Sequence, residues 1–453
     1  MLISIFLALP PLASAQTSLN EDAKSSIPFN ANYIIDDYTL LEYQSMSRES
    51  IKRFLGGQSG ILSEYKTKDI DGVERSATEI IWRASQAHGI NPKFLIVLLQ
   101  KEQSLIENPN PSLRDLDWAT GYAVCDSCRT DDPGIQKFRG FATQVDRAAW
   151  RQKYYIAHSD EFAVKVGLPS YIDGVLVTPA NQATANLYIY TPHLHGNQIF
   201  WNIWQKYFSR NYPDGTLLKE RESGDIWLLT RGKLRPLIST LALYSDYDIN
   251  KIITVSANDI LRYDIGLPIK YPNYSLLRSP RGTVYLLVDE KRRGIASKEI
   301  FRGLGFNPEE VIDAKWDDLN LYAEGVPITT ADAKPLGELL QDNKTGGVYY
   351  VSYGVKHPIK SREILKNRFA YYPIAAVSPA ILDKYYTGDA VKFKDAELIV
   401  AAGEKQVYVI ADGYKRPIVS AEIFEDLGYQ WSNIVSTTAA AVNVHPDGVP
   451  VTG

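Results

Sequence analysis

Residues Asn91–Ile106 read NPKFLIVLLQKEQSLI, an apolar run that ends by delivering one acid, Glu102. Asn91 suits a helix N-cap and Pro92 the first helical position. Phe94 to Leu99 is apolar on every side, so the spacing predicts a buried central helix rather than a surface one. Leu95, Leu98, Leu99, Glu102 and Ile106 fall on one face. Desolvation and the negative end of a helix both favour the protonated form of a carboxyl placed there. A carboxylic acid so held is a proton donor. The competing reading of the same residues is a solvated Glu just beyond the buried part, paired with Lys101.

Working outward, the 453 residues are 45% hydrophobic and 23% charged, which suits a globular protein of two or more domains. A formal charge of -4 gives no basic footprint for nucleic acid, so no nucleic-acid partner is expected. Residues 2–12, LISIFLALPPL, followed by Ala13-Ser14-Ala15, have the form of a secretory h-region and cleavage site without the basic n-region. A signal peptide over 1–15, a secreted or cell-surface protein and no membrane span in the mature chain are therefore expected. The only cysteines, Cys125 and Cys128 in CDSC, read as a small local disulfide in an exported protein, ahead of a redox pair.

The N-terminal part is patterned for helices. Ser47 opens one that stops at Gly56-Gly57, and Ser76 to Glu79 reads as a capping box into IIWRASQAH, ended by Gly89. Gly140–Tyr155, Asn181–Tyr190 and Asn197–Tyr207 are further helices, with a short hairpin at Tyr171–Pro179. The remainder repeats. IWLLTRGKLRPLIS from Ile226, VYLLVDEKRRGIAS from Val284, VYYVSYGVKHPIKS from Val348 and VYVIADGYKRPIVS from Val407 align, each ending on a Ser (Ser239, Ser297, Ser361, Ser420). A closing glycine follows in each: Gly266, Gly325, Gly388, Gly448. Each unit reads as two or three strands and a helix capped by that Ser, packed on its neighbours or joined as beads. Basic residues on the hairpin arms (Lys233 and Arg235, Lys291 to Arg293, Lys356 and His357, Lys415 and Arg416) alternate with Trp227, Tyr285, Tyr349 and Tyr408. Two readings stand for them: a multivalent wall-binding array, or solvated tips over core strands.

Four strings of the first part, INPKFLIVLLQKEQSLIE, LDWATGYAVCDSC, KFRGFATQVDRAAW and NQATANLYIYTPH, resemble an exported bacterial domain of the lysozyme-like superfamily, related to soluble lytic transglycosylases and goose-type lysozymes. The resemblance covers roughly residues 30 to 208 and implies that Glu102, in KEQS, is the general acid on a glycosidic oxygen. Gln103 separates it from Ser104, a departure from the family's Glu-Ser pair. It further implies a sugar groove formed by Trp118, Gly121 and Tyr122 with Ser104, Gln182 and Tyr190 lining it; Trp118 and Tyr122 read equally well as core aromatics. Asp117 and Asp126 are candidates for a second carboxylate, and also read as turn or cap residues. His193 and His195 alone do not make a metal site, and neither metal nor cofactor is expected.

The resulting expectation is a multidomain α+β chain: a helical lysozyme-like domain over 26–210, then modules at 216–270, 275–328, 337–391 and 397–451. Its expected function is cleavage of the aminosugar glycan of peptidoglycan by Glu102, with the repeats holding peptidoglycan or another cell-surface glycan. The alternative is an inactive lysozyme-like adhesin or glycan-binding protein.

Overall fold

The computed structural model describes residues 29–124, 132–330 and 334–452. The proposed signal segment and the Cys125–Cys128 pair, with Asp126 between them, lie outside these residues. The chain is mixed α and β, with several small sheets and no helix among the described residues long and apolar enough to cross a membrane.

Helices α1 (Asp37–Leu41), α2 (Arg48–Gly56), α3 (Ala77–His88), α4 (Pro92–Gln103), α5 (Leu113–Asp117), α6 (Pro133–Gln136), α7 (Phe141–Ala157), α8 (Gln182–Tyr190) and α9 (Leu194–Phe208) build the first part. Helix α4 forms as its sequence dictates. The Asn91 side chain accepts from the Lys93 N–H, Pro92 occupies the first turn, and Ser104 ends the helix in the left-handed region at φ 55°. Phe94 to Leu99 are all fully buried against α3, α7 and α9. Each such side chain is worth about 1.5–3 kcal/mol in removal from water, so this helix organises the core. The Ser76 cap also forms, but only half the expected box does: Ser76 accepts from Glu79 N–H while the Glu79 carboxylate turns to Arg48 at 2.9 Å. A hairpin of Ser170–Ile172 and Val175–Val177 closes through Asp173 and Gly174, both at positive φ.

Each quoted repeat segment supplies the central antiparallel hairpin of one sheet. In the first, the order is Ile253–Val255, Leu217–Glu220, Ile226–Thr230, Lys233–Pro236, Asp264–Ile265, with parallel pairing at both edges. Two sheets repeat this five-stranded order and the last has four strands among the described residues. The units are thus richer than two or three strands and a helix. The extra edge strands are two to four residues long, too short to leave a periodic signal. The repeated Ser caps its helix in all four copies.

One basic residue of each arm is tied to its own module, while Lys233 and Lys291 at the hairpin tips are exposed. Nε of Arg235, Arg293 and Arg416 donates to the carbonyls of Leu267, Val326 and Val449 at 2.8–2.9 Å, and His357 Nδ1 lies 2.8 Å from Asp389 O. The closing glycines sit beneath these arms. A Cβ on Gly266, Gly325, Gly388 or Gly448 would stand 3.0, 2.9, 2.8 and 2.8 Å from the Arg or His above it. The repeating basic residue and the repeating glycine are one device, a latch that ties the return strand to the end of its own module.

The modules contact one another in a cycle. Arg235 of the first pairs with Glu290 of the second, and Arg293 of the second meets Tyr353 of the third. Ile364 of the third lies in one core with Ile399 and Ile410 of the fourth. The fourth closes on the first through a shared core of Leu218, Leu229 and Ile253 with Leu398, Val409 and Phe424. Lys251 adds an ion pair at 2.7 Å to Glu397, which is 3% exposed. Beads on a string are therefore excluded. The helical part docks on this cycle through Asn258 Nδ2 to Ile34 O (2.8 Å) and Arg53 to Glu422 (2.6 Å).

Candidate functional site

Glu102 occupies the last turn of α4, with its side chain partly exposed. It is not alone in an apolar pocket. Lys101, whose side chain is nearly buried, donates from Nζ to Glu102 Oε1 at 2.6 Å and to Thr191 Oγ1 at 2.8 Å. The physical reason is helix geometry and stem length: neighbouring residues do not share a face, but a four-carbon stem bends its ammonium back to the carboxylate. The paired reading of the sequence, not the isolated acid, is what the structure contains.

Gly121 closes over this pair. Its φ is +66°, and a Cβ there would stand 2.9 Å from Glu102 Oε2, so only glycine permits so close an approach of loop and carboxylate. The loop is held from behind by Gln144, which is fully buried in α7. Its Oε1 accepts from Tyr122 N–H at 3.0 Å and Thr120 N–H at 3.3 Å, and its Nε2 donates to the carbonyls of Tyr122 and Phe138. Tyr190, at the end of α8, donates its hydroxyl to Thr120 O at 2.8 Å. Burial first, and the Glu102 charge second, push its phenol well above the ordinary value, so it stays protonated.

The structure thus brings Glu102, Gly121 and Tyr190 together. The other expected groove residues fall elsewhere or serve other ends. Trp118 is 5% exposed and is core, unavailable for stacking on a ligand. Tyr122 packs edge-on against Phe138. Ser104 acts through its backbone, ending α4. Gln182 donates to Asn186 Oδ1 at 2.8 Å, within its own helix. Asp117 is bound by Arg139 at 2.7 Å. His193 pairs with Asp173 at 3.0 Å on the surface, and no group of three or more His, Cys, Asp or Glu among the described residues is arranged to hold a metal ion. The sequence reading missed Thr191 and Gln144. Gln144 had a signal, since it lies on the same face as Phe141, Val145 and Ala148, where a polar residue must bring its partners with it.

A family model, LasA N-terminal domain, matches residues 33–166, the stretch from the first turn through α7. This is a peptidase-related domain family. Among solved structures, the chain is similar to the periplasmic assembly from the ESX-5 inner membrane complex at 10% identity, covering 52% of this chain and 94% of that one, with a TM-score of 0.15. It is also similar to an intact ESX-5 inner membrane complex (12% identity, 73% and 95% covered, TM-score 0.13) and to the EccB3 dimer from the ESX-3 core complex (12%, 52% and 98%, TM-score 0.14). No curated protein matches the chain.

The family match overturns the expectation of a glycan-cleaving enzyme, whether glycoside hydrolase or lytic transglycosylase, and with it the alternative of an inactive lysozyme-like adhesin. A lysozyme-like domain is not what the first part matches. The resemblance rested on a buried helix ending in an acid, and many helical cores produce that pattern. What distinguishes a proton donor is an unpaired carboxyl, and Lys101 pairs this one.

Proposed function

We propose that this chain acts in peptide-bond hydrolysis outside the cytoplasm, as a peptidase-type protein. The family match over residues 33–166 carries the reading. The apolar start of the chain, ending in Ala13-Ser14-Ala15, favours export. Within the matched segment and α8, the polar centre is Lys101, Glu102, Thr191 and the Gly121 loop. Glu102 Oε2 has no hydrogen bond within the described residues and is free to accept from a water or a substrate N–H. A carboxylate so placed serves as a general base on the water that attacks an amide carbon. The Lys101 ammonium fixes its orientation, and Thr191, whose hydroxyl accepts from Lys101, keeps an O–H to donate toward a carbonyl.

The test is digestion of a defined peptide library by purified chain 29–452, read by mass spectrometry, beside Glu102→Gln. The reading expects cleavage products from the wild type and a loss of at least about 100-fold in rate for the variant, the usual contribution of a positioned general base. Peptides left intact by the wild type would refute peptidase action, and equal rates in the variant would remove Glu102 from it.

A further inference from the structure

Where the helical part meets the first module, the chain forms a small, partly open cavity of about 50 Å³. Four cations line it: Lys93 from the first turn of α4, Arg210 just beyond α9, and Arg221 and Arg262 from the module. Only two carboxylates do, Glu42 and Asp259, so the lining carries two excess positive charges in a chain whose formal charge is -4.

Three of the cations are poorly partnered, while Arg210 lies beside Tyr212 and in the field of Asp259 and Asp426. Lys93 is 6% exposed, its ammonium makes no hydrogen bond among the described residues, and its nearest carboxylate, Asp426, is 3.8 Å away. Arg221 reaches Asp36 only at 3.8 Å. Arg262 spends Nη2 on Asn211 Oδ1 and leaves Nη1 buried with no partner. Asp259 is already occupied, accepting from Ser256 through both its N–H and its hydroxyl. Burial and the neighbouring Arg210 push the Lys93 ammonium below its usual range. Buried charged donors left unpaired are costly and seldom retained without a ligand. The N-terminal end of α4, twelve residues long, adds its own positive partial charge.

We propose that this cavity binds one small tetrahedral oxyanion, of the phosphate or sulfate class, held by Lys93, Arg210 and Arg262, and that the bound anion fastens the helical part to the cycle of modules. The volume admits such an ion.

The test uses the full chain in calorimetric titration with sulfate, phosphate and acetate, and in thermal unfolding against sodium chloride at matched ionic strength. One-site binding of sulfate or phosphate is expected, with a Tm raised by either anion and not by chloride. Arg262→Gln should weaken binding about tenfold or more, as loss of a charge-assisted donor does. Lys93→Met should do the same. Should Lys93→Met fail to fold, Arg262→Lys, which keeps the charge and loses the fork, should fall between wild type and Arg262→Gln. Equal Tm in sulfate and chloride, acetate binding as tightly as sulfate, or Arg262→Gln binding like the wild type would each overturn the proposal.

Discussion

Replacing Gly121 by Ala tests the geometry around Glu102 directly, because the structure assigns its cost to two separable sources. The first is backbone: at φ +66°, an L residue carries about 1–2 kcal/mol of strain. The second is contact: the new Cβ would lie 2.9 Å from Glu102 Oε2 and 3.3 Å from its Cδ. The carboxylate sits at the end of a flexible side chain, so it gives by a few tenths of an ångström and loosens its 2.6 Å bond to Lys101. That adds roughly 0.5–1 kcal/mol, the scale of a weakened hydrogen bond to a charged group. Against these, Ala lowers the entropy of the unfolded chain by about 0.4–1 kcal/mol. Gly121→Ala should therefore destabilise by about 1–2 kcal/mol, read as a lowered midpoint of urea unfolding followed by far-UV circular dichroism. In a Glu102→Ala background the contact term vanishes and the backbone term stays, so the substitution should cost about 0.5–1 kcal/mol less there. A Gly121→Ala chain as stable as wild type would refute the left-handed loop. An equal cost with and without Glu102 would refute the close approach.

Other consequences follow from the same kind of argument. Gln144→Ala removes bonds to four backbone groups from a fully buried position and should cost about 2–4 kcal/mol, with faster protease cleavage near residues 120–124. Lys251→Met leaves the buried Glu397 carboxylate with Asn367 as its one hydrogen-bond donor among the described residues and should destabilise the closure between the first and fourth modules by about 2–3 kcal/mol, seen as a lower Tm and as faster amide exchange along Leu398–Ala401. His445, stacked on Phe393 and accepting from its N–H, has its imidazole pKa lowered from 6.5 by burial, with Lys392 and Lys415 adding to the effect. The unfolded chain then binds this proton first, so the fourth module's stability is full above about pH 6.5 and falls as pH drops toward the folded value, by at most about 1.4 kcal/mol per pH unit. His445→Gln should flatten that slope in pH-dependent thermal unfolding, and an unchanged slope would reject the assignment.

What the sequence disclosed depended on how far the responsible signal extends along the chain. Helix α4 was legible because its apolar run, N-cap and proline lie within one short stretch. The repeats were legible because the same offsets recur in each copy. Two short polar strands, Lys66–Lys68 and Glu74–Ser76, left no trace, since what stabilises them is a charge cluster: Asp69, 6% exposed at its side chain, accepts from Arg75 and Arg83 at 2.8 and 3.0 Å. Charges that pair across a hairpin look, in one dimension, like any solvated loop. The Glu102 surroundings were only half legible for a related reason. Lys101 is adjacent in sequence, but Thr191 is 90 positions away, and its contact exists only once α8 and α9 have packed on α4.

The same distinction bears on the basic arms. A recurring Arg or Lys beside a recurring aromatic suggests a repeated ligand site only if both side chains face outward. Here the recurring glycine was the deciding residue. A glycine recurring 40 or 41 positions into every copy, with φ in the ordinary negative range in all four, marks a place where something packs on the backbone. In each copy that something is the Arg or His of the preceding hairpin. Arg235→Ala, Arg293→Ala and Arg416→Ala should therefore each loosen their own module, by about 1–2 kcal/mol for a lost charge-assisted bond to a carbonyl. Arg235→Ala and Arg293→Ala should cost more than Arg416→Ala, because the first two also reach Glu290 and Tyr353 of the next module. If the three substitutions proved equal and near zero in thermal unfolding, the arms would be free after all and the latch would be an accident of geometry.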